Sequence, residues 1–233
     1  MRLEVVVAGL GRMRESSRVS EVESVTDRAQ RPSEVEPDGG ARAAVVAVAI
    51  DLFRVRAFND VTLEAVASSA SIPIEAMREE FESFDLLVVE VIRVWNQQRM
   101  APILAIATQQ GAAAFLRQIV IANVADPALM RLLSAVAHIA ATPGHPMAPV
   151  LQSEWVRFHA LVQRALTHDA AVGREPVTME PARGAEQLIA MYEGLQLQSM
   201  LRPNMDVVEA YDRAVTRLRH GWSEAYRPPV WPV

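Results

Sequence analysis

The sequence predicts an all-α protein: an N-terminal three-helix head with a helix-turn-helix, joined to a larger helical body, about nine helices in total. Three observations predict it. From Ala41 onward, apolar residues recur at helical spacing. Strand-like alternation and hairpin dipeptides such as Asn-Gly are missing. The pattern breaks at Ala57 to Val61, which carries Asn59-Asp60, and at the Pro- or Gly-containing stretches Ser71 to Pro73, Asp126-Pro127, Pro143 to Pro146, Gly173 to Val177 and Pro203-Asn204.

Composition narrows the function. The 233 residues, 51% of them apolar, suffice for one large domain or a small one with a larger one. The absence of Cys excludes disulfides, thiolate metal sites and thiol nucleophiles. All 23 basic residues are Arg, so a Schiff-base lysine and the lysine of a phosphate-binding loop are excluded. The net charge of −5 does not advertise nucleic-acid binding, although its distribution matters more than its sum. No apolar run approaches the ~18–20 residues of a membrane span. A cytoplasmic protein with no membrane partner is expected.

Residues 1–40 form an N-terminal extension expected to be disordered, ending in the linker-like run Arg31 to Gly40. The segment Val5 to Met13 resembles a strand entering a dinucleotide loop. Arg14 stands where the third Gly is required, and no βαβ pattern follows, so no cofactor is expected.

The head spans residues 41–87. Its first helix, about Arg42 to Arg56, places Val45, Ala49, Leu52 and Phe53 on one face. The second begins at Thr62, a good N-cap, with Glu64 in its first turn. Leu63, Val66, Ala67 and Ala70 form its apolar stripe. After Ser71-Ile72, Pro73 suits the first position of a third helix, which turns Ile74, Met77 and Phe81 inward. Two short helices joined by a tight turn match a helix-turn-helix, whose second helix enters the major groove.

In order, Ala49 to Phe53, Ala57 to Leu63, Val66 to Ile72, Met77, Phe81, Ser83 and Asp85 to Leu87 resemble the N-terminal head of the TetR/AcrR family of one-component regulators. The resemblance runs without a gap over nearly 40 positions. Ala57 and Ser71 replace glycines common in the family, Arg78 replaces a phosphate-touching Tyr, and Phe84 replaces a phosphate-anchoring Lys. The resemblance implies Arg42, Thr62 and Arg78 at phosphates, and Glu75, Ala76 and Glu79 near bases. Residues 41–95 carry five Arg against nine acids, three of them Glu on the third helix. One Glu can accept from cytosine, whereas three beside a polyanion oppose binding.

The body, residues 88–226, is expected as helices at about Phe84–Gln109, Gly111–Asn123, Pro127–Thr142, Pro149–Val172, Glu180–Leu201 and Asp206–Tyr226. Asp206 with Glu209 reads as a capping-box variant. The run Glu193-Gly194-Leu195-Gln196-Leu197-Gln198, followed by Pro203, resembles the C-terminal region of actinobacterial-type members of the same family. This implies a homodimer built on the last two helices, with Leu188, Tyr192, Leu195 and Val215 at the interface. The same spacing also fits packing within one chain.

The resemblance further implies a cavity for a small apolar effector. Trp95, Met100, Phe115 and Met130 are candidate lining residues, as are Trp155, Met191 and Gln198, with His138 and His159 as polar handles. Each fits ordinary core packing as well. The five His show no metal-binding pattern, and no nucleophile elbow occurs, so neither a metal site nor an enzyme is expected. The Pro-rich tail 227–233 is expected to be extended.

Two functional readings follow. The first is a ligand-responsive transcription regulator, a repressor that leaves a palindromic double-stranded DNA operator when its effector binds. The second is a dimeric helical ligand- or protein-binding module that keeps the fold while DNA binding is weak or lost.

Overall fold

A computed structural model describes residues 38–225, and their regular structure is entirely helical. Ten α-helices occur among them: α1 Asp38–Val55, α2 Leu63–Ala70, α3 Ile74–Glu80, α4 Phe84–Met100, α5 Ile106–Gln109, α6 Ala112–Ala125, α7 Pro127–Ala140, α8 Ala148–Ala171, α9 Pro181–Leu201 and α10 Val207–Trp222. The expectations for residues 1–37 of the N-terminal extension, for the Val5 to Met13 run within it and for the Pro-rich tail lie outside the described residues.

The head forms as its sequence dictates. Thr62 caps α2, its hydroxyl accepting the Ala65 N–H at 3.2 Å. Ser71 ends α2 in the left-handed conformation, φ 57° and ψ 38°. Pro73 precedes α3 as its N-cap instead of occupying its first turn. Val45, Ala49, Leu52 and Phe53 of α1 meet Val66, Ala67, Met77 and Phe81 in a buried core. Phe53, Phe58 and Phe84 gather with ring centroids 6.0–6.3 Å apart, which ties α1 to the start of α4.

Two boundaries differ from expectation. Helix α1 begins at Asp38, so the linker stops short of Gly40. The helix expected over residues 84–109 breaks after Met100 into a 3₁₀ turn, Ala101–Ile103, and the short α5. Pro102 explains the break: it has no N–H for the i−4 carbonyl, and its ring collides with that carbonyl. This gives ten helices where about nine are expected.

The head core continues into α7 and the start of α8 through Leu129, Leu132, Val136 and Leu151. A second core joins α6, α8, α9 and α10 around Phe115, Leu116, Ile119, Leu166, Leu188 and Tyr211. An ion pair links head to body as well, with Arg54 of α1 lying 3.0 Å from Asp126 just before α7.

Candidate DNA-binding head and ligand cavity

Helix α3 is held from behind and free in front. Met77 and Phe81 are buried beneath it, while Glu75, Arg78 and Glu79 are exposed and Ala76 is half-buried. The Arg42 guanidinium lies 4.0 Å from the Phe81 ring centroid, and Arg42 donates to the Glu80 carbonyl. Arg42 therefore clamps α1 to the end of α3 and reaches outward only by giving up that contact. Arg78 lies 3.5 Å from Glu64 of α2, both side chains more than 60% exposed. Such a pair is weak and readily exchanged. The Thr62 hydroxyl accepts the Ala65 N–H.

The body holds a half-open cavity of about 530 Å³ between α4, α7, α8 and α9. That size suits a small organic ligand. Leu133, Ala137, Leu151, Phe158 and Leu161 supply apolar wall. The polar part of the wall is built around α4. Arg99 donates to Asn96 Oδ1 at 2.6 Å and to Asn123 Oδ1, and its guanidinium lies 4.3 Å from the Trp95 ring centroid. Asn123 donates in turn to the Tyr192 hydroxyl at 2.9 Å and to Gln196 Oε1 at 3.2 Å. Desolvation lowers the Arg99 pKa and raises that of the Tyr192 phenol. Towards the rim, Trp155 Nε1 donates to Glu193 at 2.9 Å.

Solved structures with the same architecture include a TetR transcription regulator from Haloarcula marismortui, TM-score 0.62 at 11% identity, covering 78% of this chain and 97% of that one. The fatty acid degradation regulator FadR from Bacillus halodurans matches with TM-score 0.61 at 10% identity, covering 80% and 98%. Thermus thermophilus FadR, a TetR-family repressor in complex with lauroyl-CoA, matches with TM-score 0.58 at 16% identity, covering 82% and 100%. The chain has the TetR fold. No protein-family model matches the sequence, and comparison with curated proteins finds no match.

Within this TetR fold the candidate ligand residues separate. Met100, Met130 and Trp155 line the cavity. Trp95 and Phe115 are packed in the two cores, Trp95 directly behind Arg99. His138 and Gln198 are exposed, His159 and Met191 are half-buried, and none of the four lines the cavity. Of the residues expected at a dimer interface, Leu188, Tyr192 and Val215 are buried inside the single chain, with Leu195 packed against the same core. Tyr192 serves the cavity wall.

Sequence reasoning missed Asn96, Arg99, Asn123 and Gln196. A signal existed for Asn123, a lone amide in the apolar run Ile119 to Val124. Arg99 follows Gln97 and Gln98 and is disguised as part of a solvated face. Among the described residues, no group of three or more His, Asp or Glu converges as a metal site would, and no single helix is long and apolar enough to cross a membrane.

Proposed function

We propose that this chain is a TetR/AcrR-family regulator, a homodimeric repressor released from a palindromic operator by a small, largely apolar effector. The observation that carries the reading is the span of α4. Its first residue packs in the head's aromatic cluster, and Ile92, Asn96, Arg99 and Met100 at its other end line the cavity. A 17-residue helix, about 25 Å long, couples the two as one rigid lever. An effector that favours a different α4 tilt changes the separation of two dimer-related heads, and with it their fit to successive major grooves. The lauroyl-CoA bound by the Thermus protein supports an acyl-type tail as the apolar part of the effector.

In this reading Arg78 and the Thr62 hydroxyl meet phosphates, while Glu75, Ala76 and Glu79 face bases. The dimer forms on the outward stripe of α9 that includes Ala190, Gly194, Leu197 and Leu201, at helical spacing and exposed in the single chain. Gly194 has open space beside it, which permits close helix approach. Gly184, one turn into the same helix, instead faces the chain's own core, where a Cβ would lie 2.8 Å from Met179 Sδ.

The test is selection of genomic fragments by the purified protein, followed by release with candidate effectors. Recovery of a palindromic site that one effector releases supports the reading. A site that no cavity-bound effector releases contradicts it. The acidic face of α3 favours the second reading, a helical binding module without an operator; an empty selection supports that one.

A further inference from the structure

Arg99 is a half-buried cation that forms no ion pair among the described residues. It lines the cavity from the last turn of α4, and its acceptors are neutral: Asn96 Oδ1, Asn123 Oδ1 and the Met130 sulfur at 3.7 Å. Its Nε is buried with no partner. The two fully buried carboxylates are treated differently. Asp169 is paired with Arg174, and Glu175 lies 2.7 Å from Arg219. No carboxylate among the described residues forms an ion pair with Arg99. Tyr192 does not act as a phenolate, since burial raises its pKa. Partial desolvation disfavours a cation with no ion-pair partner, so an anion that enters the cavity is favoured beside it.

We propose that the cavity takes an amphipathic acid, its carboxylate bound by Arg99 and its aliphatic tail running along Met100, Leu133, Ala137, Phe158 and Leu161. This rests on the reading of the cavity as the effector site and adds the ligand's charge. The two carboxylates in the lining are engaged, Glu154 by Arg157 and Glu193 by Trp155 Nε1. Arg164 also lines the cavity without an ion pair among the described residues. Three Arg and two Glu leave the wall with one net positive charge. One excess cation in a mainly apolar wall matches one carboxylate. A phosphate dianion would remain half compensated, a neutral alkane would leave Arg99 unpaired, and an amine would be repelled.

The test is calorimetric titration of the full-length protein with decanoate and with decan-1-ol, both below the concentration at which they self-associate. Decanoate is expected to bind about tenfold or more tightly than the alcohol, as a charge-assisted contact implies. Arg99→Gln should lower decanoate affinity to that of the alcohol, and Arg99→Lys should restore much of the preference. Equal affinities for acid and alcohol overturn the proposal. So does a preference that survives Arg99→Gln, or no binding by hexanoate, decanoate or tetradecanoate. If circular dichroism shows Arg99→Gln unfolded, the acid-to-alcohol comparison on the unaltered protein and on Arg99→Lys decides.

DNA anisotropy on the same samples separates the two readings. Acid binding without operator binding leaves this site standing and sinks the regulator. Operator release by the alcohol but not by the acid does the reverse.

Discussion

The buried carboxylate of Asp169, at the end of α8, accepts the backbone N–H of Ala112 at 2.8 Å and so holds the start of α6. Arg174 pairs with the same carboxylate. Gly111 makes the approach possible, with φ +99° and no side chain. Asp169→Ala leaves a buried N–H unsatisfied and Arg174 unpaired. We expect a loss of about 3 kcal/mol or more in urea unfolding. Gly111→Ala is expected to cost about 2 kcal/mol or more, because its Cβ would lie 2.7 Å from Asp169 Oδ2 in a backbone conformation that suits Gly. A loss below about 0.5 kcal/mol for either variant would show that this contact does not hold the α6 start.

Ser71→Gly has the opposite sign. Ser71 is the one non-Gly residue with positive φ among those described, at 57°. Left-handed backbone costs an ordinary L-residue roughly 1–2 kcal/mol, partly offset by the extra freedom Gly has when unfolded. We expect a gain of about 0.5–1 kcal/mol, read as a rise in Tm of roughly 1–4 °C. A lower Tm would mean that Ser71 makes a stabilising contact in the turn.

Arg117 of α6 and Asp212 of α10 form a two-point ion pair, with distances of 2.8 and 2.9 Å. Hydrogen bonding from Arg117 holds the Asp212 carboxyl below its usual value of 3.8. A depressed carboxyl pKa stabilises the fold above the unfolded value, and that contribution is lost as pH falls through the folded value. Both side chains are well exposed, so the effect stays below about 1 kcal/mol. Asp212→Asn should lower stability slightly at neutral pH and weaken its pH dependence at and below pH ~4. Unfolding curves at neutral and acid pH check this.

The charges on α3 make separable predictions for DNA. Arg78→Ala should weaken binding to all sequences and reduce the salt slope by about one per protomer, the signature of a lost phosphate contact. Glu79→Gln should strengthen binding to scrambled DNA by relieving repulsion. If Glu79 also reads a cytosine, the same change lowers the preference for the operator. Competition binding at several salt concentrations distinguishes the two effects.

The head was legible in the sequence because its determinants are local. Thr62, Ser71, Pro73, Met77 and Phe81 lie within 20 positions, and each carries a cap, turn or periodicity signal. The break at Pro102 was legible in principle, yet it is hidden inside an otherwise continuous helical pattern. The cavity wall was not legible. Its residues come from four helices up to a hundred positions apart, and periodicity tells which face is buried without telling what it is buried against. Tyr192 and Trp95 show this. Both fit a buried helical face, but the cavity assigns one to its wall and the other to the support of Arg99.

The most direct test of the regulator reading is fluorescence anisotropy of the purified protein with DNA from upstream of its own gene. Scrambled DNA serves as control, across several salt concentrations. The account predicts binding in the nanomolar range to a fragment of the upstream DNA, weaker binding to the control, and a clear fall with salt. Equal and weak binding to both, with no fragment recovered from the rest of the genome, would contradict it and leave the acidic head as scaffold.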